Sequence, residues 1–232
     1  MVVKLLSDKI NKLKIFKRNK KSLEIKVITA LKYISGLSYR AISNFFGNIG
    51  IKVSKSSAQE WVSKIEENLG KIIHEERKER GIVAIDETKL KLNGKVIFVY
   101  SAIDIKTKEI IAIRAFSGRS YIETLVFLRE ILSKCKNKPL ILVDRAPWYS
   151  CVLERIGLKY QQVSKGPRNY IERWFRTLKE RTKRFYNNFR SRELNLKNVN
   201  KFLRFFVFWY NYLRIHLTLG RSPCSLEEGV SM

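Results

Sequence analysis

The stretch that decides the fold is Val83-Ala84-Ile85-Asp86-Glu87-Thr88, an apolar run that leads into a carboxylate. A second run of the same kind is Leu140-Ile141-Leu142-Val143-Asp144. Short continuous apolar runs are typical of buried strands, so we expect two core strands that end at Asp86 and Asp144. A third acidic residue, Glu172, lies near the start of a strongly basic stretch with helical periodicity.

These three carboxylates suit a metal-dependent phosphoryl-transfer site. Carboxylates that are brought together repel each other, and a divalent cation offsets the repulsion. Mg²⁺ takes oxygen ligands and is usually held by one or two carboxylates plus substrate phosphates. We therefore expect Asp86, Asp144 and Glu172 to be catalytic residues and ligands of two Mg²⁺ ions, with Mn²⁺ as the alternative ion. Such a pair of ions serves in-line displacement at phosphorus, by water for strand cleavage or by a 3′-hydroxyl for strand transfer.

The basic helix predicted around Glu172 has two distinct faces. The apolar stripe comprises Ile171, Trp174, Phe175, Leu178, Thr182, Phe185 and Phe189. The other face carries Arg168, Glu172, Arg176, Lys179 and Lys183. Only two acidic residues, Glu172 and Glu180, lie between Lys165 and Arg192. We expect the cations of this second face to hold DNA phosphates.

Each acidic residue also has a structural alternative. An isolated aspartate at a strand end is most often a turn or cap residue, and Glu172 alone could be an ion-pair partner of a neighbouring arginine. Asp104 and Glu87 are rival ligands. We expect both to be structural, because Asp104 lies in a turn sequence and Glu87 should point to the sheet face opposite Asp86.

The composition favours a nucleic-acid partner. The chain has 232 residues, 45% of them hydrophobic, which is enough for a real core and argues against general disorder. Its formal net charge is +26, and a surface this basic attracts polyanions. An anionic membrane surface is the competing partner, but no isolated basic amphipathic helix favours it.

The sequence also excludes several classes of protein. The three cysteines have no CxxC spacing, and an odd number argues against a disulfide framework, so we expect a reducing, intracellular setting. The two histidines, His74 and His216, are too few and too far apart for a zinc finger. The first 21 residues contain no apolar core of signal-peptide length, and no apolar stretch approaches the ~20 residues of a membrane span.

Periodicity divides the chain into three parts. Residues 1–21 form a lysine-rich arm, either frayed or a short helix, and either a solvated tail or a contact with DNA. Residues 22–80 have three helical patterns, the second capped by Ser38, and a charged linker. Residues 81–232 predict three strands in a meander, then helix, strand, helix, strand and helix. This succession indicates a ribonuclease H-like α/β domain, with a mixed five-stranded sheet flanked by helices, behind an all-α domain.

The three N-terminal helices match helix-turn-helix geometry, with a generic helical bundle as the alternative. In the first interpretation the recognition helix begins near Ser56 and packs Ala58, Trp61, Val62 and Ile65 on the small core. Its N-terminal residues then reach base edges, and the predicted DNA contacts are Lys55, Ser56, Ser57 and Gln59. Near the other end of the chain, Phe202 to Tyr212 predicts a helix packed on the catalytic domain rather than a dimer interface. We expect structural roles for Asn211 and His216.

The ordered set of motifs resembles the DDE transposases of small prokaryotic insertion sequences. The residues that carry this resemblance are Ile85-Asp86-Glu87-Thr88, Val143-Asp144, Asn169-Tyr170-Ile171-Glu172 and Lys179. Leu37 to Ile42, Val53 to Ser57 and Tyr210 to His216 are similar to the corresponding parts of the sixth insertion-sequence family. The spacer of 27 residues between Asp144 and Glu172 is shorter than in many relatives.

The resemblance implies a catalytic triad of Asp86, Asp144 and Glu172, with Lys179 as a DNA contact. It also implies dependence on Mg²⁺, binding to the terminal inverted repeats of the element and to target DNA, and work as a homo-oligomer in the prokaryotic cytoplasm at the nucleoid. The alternatives are a DNA-binding regulator that has lost catalysis and a general ribonuclease H-like nuclease.

Overall fold

The computed structural model describes residues 2–17, 20–73, 76–163, 169–183, 188–189 and 196–225. These residues form two compact units, one up to residue 73 and the other from residue 76 to residue 225. None of the helices in these ranges is long and apolar enough to cross a membrane.

The described part of the N-terminal unit is helical. Its elements are α1 Val2–Lys12, α2 Leu23–Ile34, α3 Tyr39–Asn48, α4 Lys55–Glu67 and α5 Leu69–Ile72. Three serines, Ser22, Ser38 and Ser54, cap α2, α3 and α4 by accepting a hydrogen bond from the backbone N–H three residues later. The cap at Ser38 is as predicted. The basic arm is helical over α1, and Leu6 and Ile10 are buried.

The small core of this unit lies between α3 and α4. Ile42, Phe46, Val53 and Ala58 are buried there, and Trp61 packs against them while remaining partly exposed. The connection from α3 to α4 covers residues 49–54, longer than the 3–4 residues usual in a helix-turn-helix. Ser43 Oγ donates a 2.7 Å hydrogen bond to the Val53 carbonyl and holds this connection. A DNA-binding role for the three helices stays a prediction.

The second unit is a mixed sheet covered by helices. Its strands are β1 Ile82–Leu92, β2 Lys95–Asp104, β3 Ile110–Phe116, β4 Leu140–Val143, β5 Tyr160–Gln162 and β6 Asn188–Phe189. Its helices are α6 Tyr121–Ser133, α7 Pro147–Arg155, α8 Asn169–Thr182 and α9 Lys197–Phe208, followed by a π-helical turn Trp209–Leu213. The spatial order is β3-β2-β1-β4-β5, and β6 pairs with β1.

This architecture confirms the predicted fold class. The first three strands are an antiparallel meander, and β4 joins β1 in parallel, with β5 parallel beyond it. The fourth strand therefore lies beside the first, as expected of a ribonuclease H-like domain. One face of the sheet forms a core with α6 and α7, where Val83, Ile85 and Tyr149 are buried together. On the other face α8 packs against α9, with the rings of Trp174 and Phe206 5.7 Å apart.

Two element predictions were wrong. The first strand continues past Asp86 to Leu92, because Leu90 and Leu92 alternate with exposed Lys89 and Lys91 as in a half-buried strand. Phe189, expected on the apolar stripe of α8, lies instead in β6. There it pairs with Leu92, and its ring lies 5.4 Å from that of Phe202. The predicted stripe residue Phe185 lies outside the described residues.

The C-terminal aromatic segment packs on the second unit, as predicted. Buried residues of α9 include Phe202, Leu203, Phe205 and Phe206. The segment also covers the edge strand β3. The Asn211 amide donates to the Ile110 carbonyl and accepts from the Ile110 N–H, both at 2.9 Å. Asn200 Oδ1 accepts from the Ala115 N–H at 2.8 Å.

A β-bulge opposite Ala102 and Ile103 explains how both asparagines reach the same edge. Backbone groups of successive strand residues point to alternate sides, so Ile110 and Ala115 face the same edge only if one residue is inserted between them. The two asparagines thus satisfy edge groups that would otherwise be open to pairing with another chain.

We expect Asn211→Ala to lower the free energy of unfolding by about 3 kcal/mol, because a buried N–H and a buried carbonyl lose their partners. Asn200→Ala is the matched control, since it removes a single bond from a less buried position and should cost less. Urea titration followed by circular dichroism measures both. Equal stability of the Asn211 variant and the wild type would contradict the structural role of this amide.

Candidate active site

Asp86 and Asp144 are brought together by the parallel pairing of β1 and β4. The ladder pairs Val83 with Ile141 and Ala84 with Leu142. Continued two residues further, the same register would set Asp86 beside Asp144, although β4 itself ends at Val143. Neighbouring strands lie about 4.8 Å apart, which is the spacing that this continuation would give. Asp86 is 8% exposed, and Asp144 is half-buried.

Each aspartate is also held by the backbone next to it. Asp86 Oδ1 accepts a 2.8 Å hydrogen bond from the Glu87 N–H. Asp144 Oδ1 accepts a 2.9 Å bond from the N–H of Ala146, just before the start of α7. An ionised carboxylate has about four acceptor positions, so these bonds leave each aspartate able to accept further ligands.

Glu172 lies on the same side of the sheet. It is exposed in the first turn of α8 and lines a groove of about 490 Å³ together with Thr88. Thr88 is two residues beyond Asp86 in β1 and therefore points to the same face. Glu172 thus approaches the face that carries the two aspartates.

The contact between Lys108 and Tyr170 shows in which direction α8 runs relative to β1. Lys108 Nζ lies 3.2 Å from the ring centroid of Tyr170, at the start of the helix. Lys108 follows β2, whose last residue Asp104 pairs with Val83 near the start of β1. Helix α8 therefore starts near the beginning of β1, and its later residues reach Thr88.

The donor set suits a hard divalent cation, because Asp86 and Asp144 supply two adjacent carboxylates and Mg²⁺ commonly takes no more than two from a protein. Within the described ranges, no group of three acidic, histidine or cysteine side chains is placed to hold a single ion. Asp86, Asp144 and Glu172 are all within these ranges, so the predicted triad does not form such a group in this structure, and Glu172 lies on the face of the sheet that carries Asp86.

The groove beside Glu172 is cationic. Exposed Arg176, Lys179 and Lys183 of the basic face line it, together with Glu180. The fourth predicted cation of this face, Arg168, lies outside the described residues. Three cations in a groove that also contains a predicted catalytic carboxylate can hold the phosphates on either side of a reacting one.

The two rival carboxylates are engaged elsewhere. Asp104 Oδ1 accepts from the N–H groups of Lys106 and Thr107, and its Oδ2 lies 3.3 Å from Nη1 of the buried Arg80. This is the turn role that the sequence predicts. Arg80 also pairs with Glu109 at 2.8 Å, which helps to hold the pKa of Glu109 below its usual value despite burial.

Glu87 faces away from Asp86, as expected, but it is not an ordinary surface residue. Tyr149 Oη donates a 2.5 Å hydrogen bond to Glu87 Oε2, and Arg119 Nη1 lies 3.5 Å from Oε1. Burial raises the pKa of Glu87, and the nearby charges of Asp86 and Asp144 add to this rise. Sequence periodicity identified its face, but nothing in the sequence pointed to Tyr149 or Arg119.

The predicted recognition residues lie at the start of α4. Lys55, Ser56 and Gln59 are exposed and available to a ligand. Ser57 is partly buried, and both its N–H and its hydroxyl bond to Ser54 Oγ, at 3.0 and 2.9 Å. Its hydroxyl therefore takes part in the helix cap.

This chain resembles known proteins in three respects, namely its family domain, its sequence over nearly the full length, and its fold. Residues 81–209 match the family model of the IS240-type transposase, described as a DDE domain. The chain is 39% identical to the uncharacterized protein MJ0017 of Methanocaldococcus jannaschii, over 92% of this chain and 98% of that one. It is 25% identical to the transposase of insertion sequence element IS257 in transposon Tn4003 of Staphylococcus aureus, over 89% of this chain and 92% of that one.

Among solved structures, the catalytic core of HTLV-2 integrase in complex with magnesium aligns with a TM-score of 0.48 and 16% identity. That alignment covers 64% of this chain and 96% of the integrase core. The DDE-domain match extends from just before β1 into the π-helical turn and spans more than half of the chain. This protein therefore belongs to the DDE transposases of prokaryotic insertion sequences, which are polynucleotidyl transferases acting on DNA, and it resembles the sixth insertion-sequence family.

Proposed function

We propose that this transposase binds the terminal inverted repeats of its insertion sequence and catalyses Mg²⁺-dependent cleavage and transfer of DNA strands. One observation carries the proposal. Asp86 lies in β1, Asp144 follows directly after the neighbouring strand β4, and Glu172 lines a cationic groove together with Thr88 of β1. Carboxylates for metal ions and cations for phosphates are the two requirements of phosphoryl transfer on DNA.

In this proposal Asp86 and Asp144 hold the metal from the sheet, and Glu172 completes the ligand set from α8. Two bound Mg²⁺ ions, or Mn²⁺ in their place, would supply charge stabilisation for an in-line displacement at phosphorus. Arg176, Lys179 and Lys183 hold the phosphates that flank the reacting one, and Arg168 is a further phosphate contact on the same face.

The same residues serve both reactions, because only the nucleophile changes. Water at the site gives a nick with a free 3′-hydroxyl. That hydroxyl, directed at a second duplex, gives strand transfer. Both steps develop the same kind of charge on the oxygens of the phosphate under attack, first at the element end and then in the second duplex, so one arrangement of carboxylates and cations suffices.

Recognition of the element ends is assigned to the N-terminal helices. In this proposal Lys55, Ser56 and Gln59, which are exposed at the start of α4, contact DNA, and Ser57 supports them through the helix cap. We further propose that the protein acts as a homo-oligomer, since joining two ends to one target requires two sets of end-binding helices, and that it works at the nucleoid.

Neutralising any one carboxylate should abolish nicking. For Asp86→Asn, Asp144→Asn and Glu172→Gln we expect rates to fall about 10³-fold or more, because several kcal/mol of metal-supported charge stabilisation is lost. Affinity for end-containing duplex should remain close to that of the wild type. Glu180→Gln is the matched control, because Glu180 lies in the same groove of α8. The measurement is nicking of a labelled duplex in Mg²⁺.

The outcomes of this assay separate the alternatives. Normal turnover by any of the three variants would remove that residue from the site. Wild-type binding without nicking would indicate a DNA-binding regulator, and equal cleavage of unrelated duplexes would indicate a general nuclease.

Removing a groove cation should weaken DNA binding. For Arg176→Gln and Lys179→Gln we expect the slope of log K against log salt to decrease by about 1, because one phosphate contact is lost in each. Arg204→Gln, an exposed arginine of α9, should leave the slope unchanged. Fluorescence anisotropy over a range of salt concentrations measures these slopes, and unchanged slopes in both groove variants would contradict the assignment.

Changing the start of α4 should affect recognition of the ends. We expect Gln59→Ala to lose about 1–3 kcal/mol of preference for end-containing over unrelated duplex, the usual value of one bidentate base contact. Glu67→Ala, at the opposite end of α4, is the control. Competition binding provides the measurement, and an unaltered preference would exclude a base contact by Gln59.

A further inference from the structure

The ladder that aligns the two aspartates ends before it reaches them. The last paired residues of β1 and β4 are Ala84 and Leu142, and β4 itself ends at Val143. Asp86 and Asp144 therefore lie beyond the ladder between the two strands. Something other than that ladder has to fix the distance between them, because both are proposed to hold the same ions.

Beyond the end of this ladder β1 and β4 are unpaired, and we call this gap the opening. The side chain of Glu87 lies beside the opening, on the other face of the sheet. It emerges on the face opposite Asp86 and is only 7% exposed. Its hydrogen-bond partner, Tyr149, is 0% exposed and lies in α7, five residues after Asp144. From Tyr149, two further hydrogen bonds and the backbone between them lead to the second aspartate, Asp144. The Tyr149 N–H donates to the Ala146 carbonyl at 3.1 Å, and the Ala146 N–H donates to Asp144 Oδ1.

Arg119 provides a second attachment for Glu87. It lies in the loop between β3 and α6, and its guanidinium lies 5.2 Å from the ring centroid of Phe98 and 4.9 Å from that of Trp148. These rings belong to β2 and to α7. Arg119 therefore connects Glu87 of β1 to β2 on one side and to α7, the helix that follows Asp144, on the other. Its own side chain remains 40% exposed.

A carboxylate at position 87 is not what packing alone would select. The preceding positions on the same face are Val83 and Ile85, which are fully buried in the apolar core. A buried carboxylate near two others is unfavourable unless it is well paired. An apolar residue here would fill the core but would provide no bond to α7.

We propose that Glu87, Tyr149 and Arg119 form a brace that sets the separation and orientation of Asp86 and Asp144 from the back of the sheet. This inference rests on the proposed role of the two aspartates as metal ligands. The three residues are positioning residues and touch neither metal nor DNA. Outer-shell residues of this kind usually change metal affinity or activity about 10- to 100-fold when they are removed.

The primary test is Mn²⁺ binding by the full-length, DNA-free protein, measured from the signal of free Mn²⁺ in electron paramagnetic resonance. For Tyr149→Phe we expect the dissociation constant to rise about tenfold, because the bond between α7 and β1 is lost without any change of charge. Tyr160→Phe is the matched control. Tyr160 also donates to a glutamate, Glu154, at 2.7 Å, but this bond lies near the other end of α7 and is exposed.

Arg119→Gln separates positioning from simple electrostatics. Loss of a positive charge near the site would by itself tighten Mn²⁺ binding. If Arg119 holds the brace, its loss should weaken binding instead. Thermal unfolding without metal checks that each variant is folded, and because Arg119 is partly exposed, its replacement is the milder change.

The outcomes are distinct. Weaker Mn²⁺ binding in both Tyr149→Phe and Arg119→Gln, with Tyr160→Phe like the wild type, supports the brace. Wild-type affinity in Tyr149→Phe, or tighter binding in Arg119→Gln, overturns it while leaving the proposed function intact. If the wild type neither binds Mn²⁺ nor nicks DNA, the proposed function fails and the brace fails with it.

Discussion

The proposed active site depends on the parallel pairing of β1 with β4. This ladder is short, covering Ile82 to Ala84 on one strand and Leu140 to Leu142 on the other, but it lies in the centre of the sheet with apolar residues on both faces. A slip by one residue would turn one aspartate to the opposite face. The same slip would move Ile141 and Val143, which are completely buried, out of the core that they share with α6 and α7. The energy of the core therefore also fixes the register of the two strands that lead to the carboxylates.

The electrostatics of the chain explains why acidic residues are tolerated at this position. A net charge of +26 favours polyanions over the whole molecule, but a phosphoryl-transfer site needs local negative charge to hold metal ions. The structure separates these two requirements. The proposed metal ligands Asp86 and Asp144 lie in the sheet and directly after it, and the cations that we propose to bind phosphate belong to α8. Glu172 lies on the helix among those cations and belongs to both sets.

The extent to which the sequence predicts this arrangement differs between elements. Asp86 and Asp144 could be identified because apolar runs leading into a carboxylate are local signals. The strand order followed from the succession of patterns. The end of β1 was misplaced, because the alternating half of that strand has lower hydrophobicity than the continuous half.

Phe189 was misplaced for a different reason. Its apolar side chain fits a helical stripe by spacing alone, whereas its position is set by pairing with Leu92, a contact between distant parts of the chain. The bonds of Glu87 to Arg119 and Tyr149 are long-range contacts of the same kind, and periodicity predicts only the face on which a residue lies.

Glu172, the third proposed catalytic carboxylate, belongs to a helix whose packing can be followed back to β3, the edge strand of the sheet. Asn200 and Asn211 attach α9 and the π-helical turn to the edge strand β3. From there the ring centroids of Phe206 and Tyr210 lie 5.7 and 6.3 Å from that of Trp174, the largest fully buried side chain of α8. Trp174 is two residues after Glu172, so a shift of the C-terminal segment moves α8 and its carboxylate. The aromatic segment contains none of the proposed catalytic residues, but it packs against the helix that carries Glu172. Two asparagine side chains on an edge strand connect it to the sheet that carries the other two carboxylates.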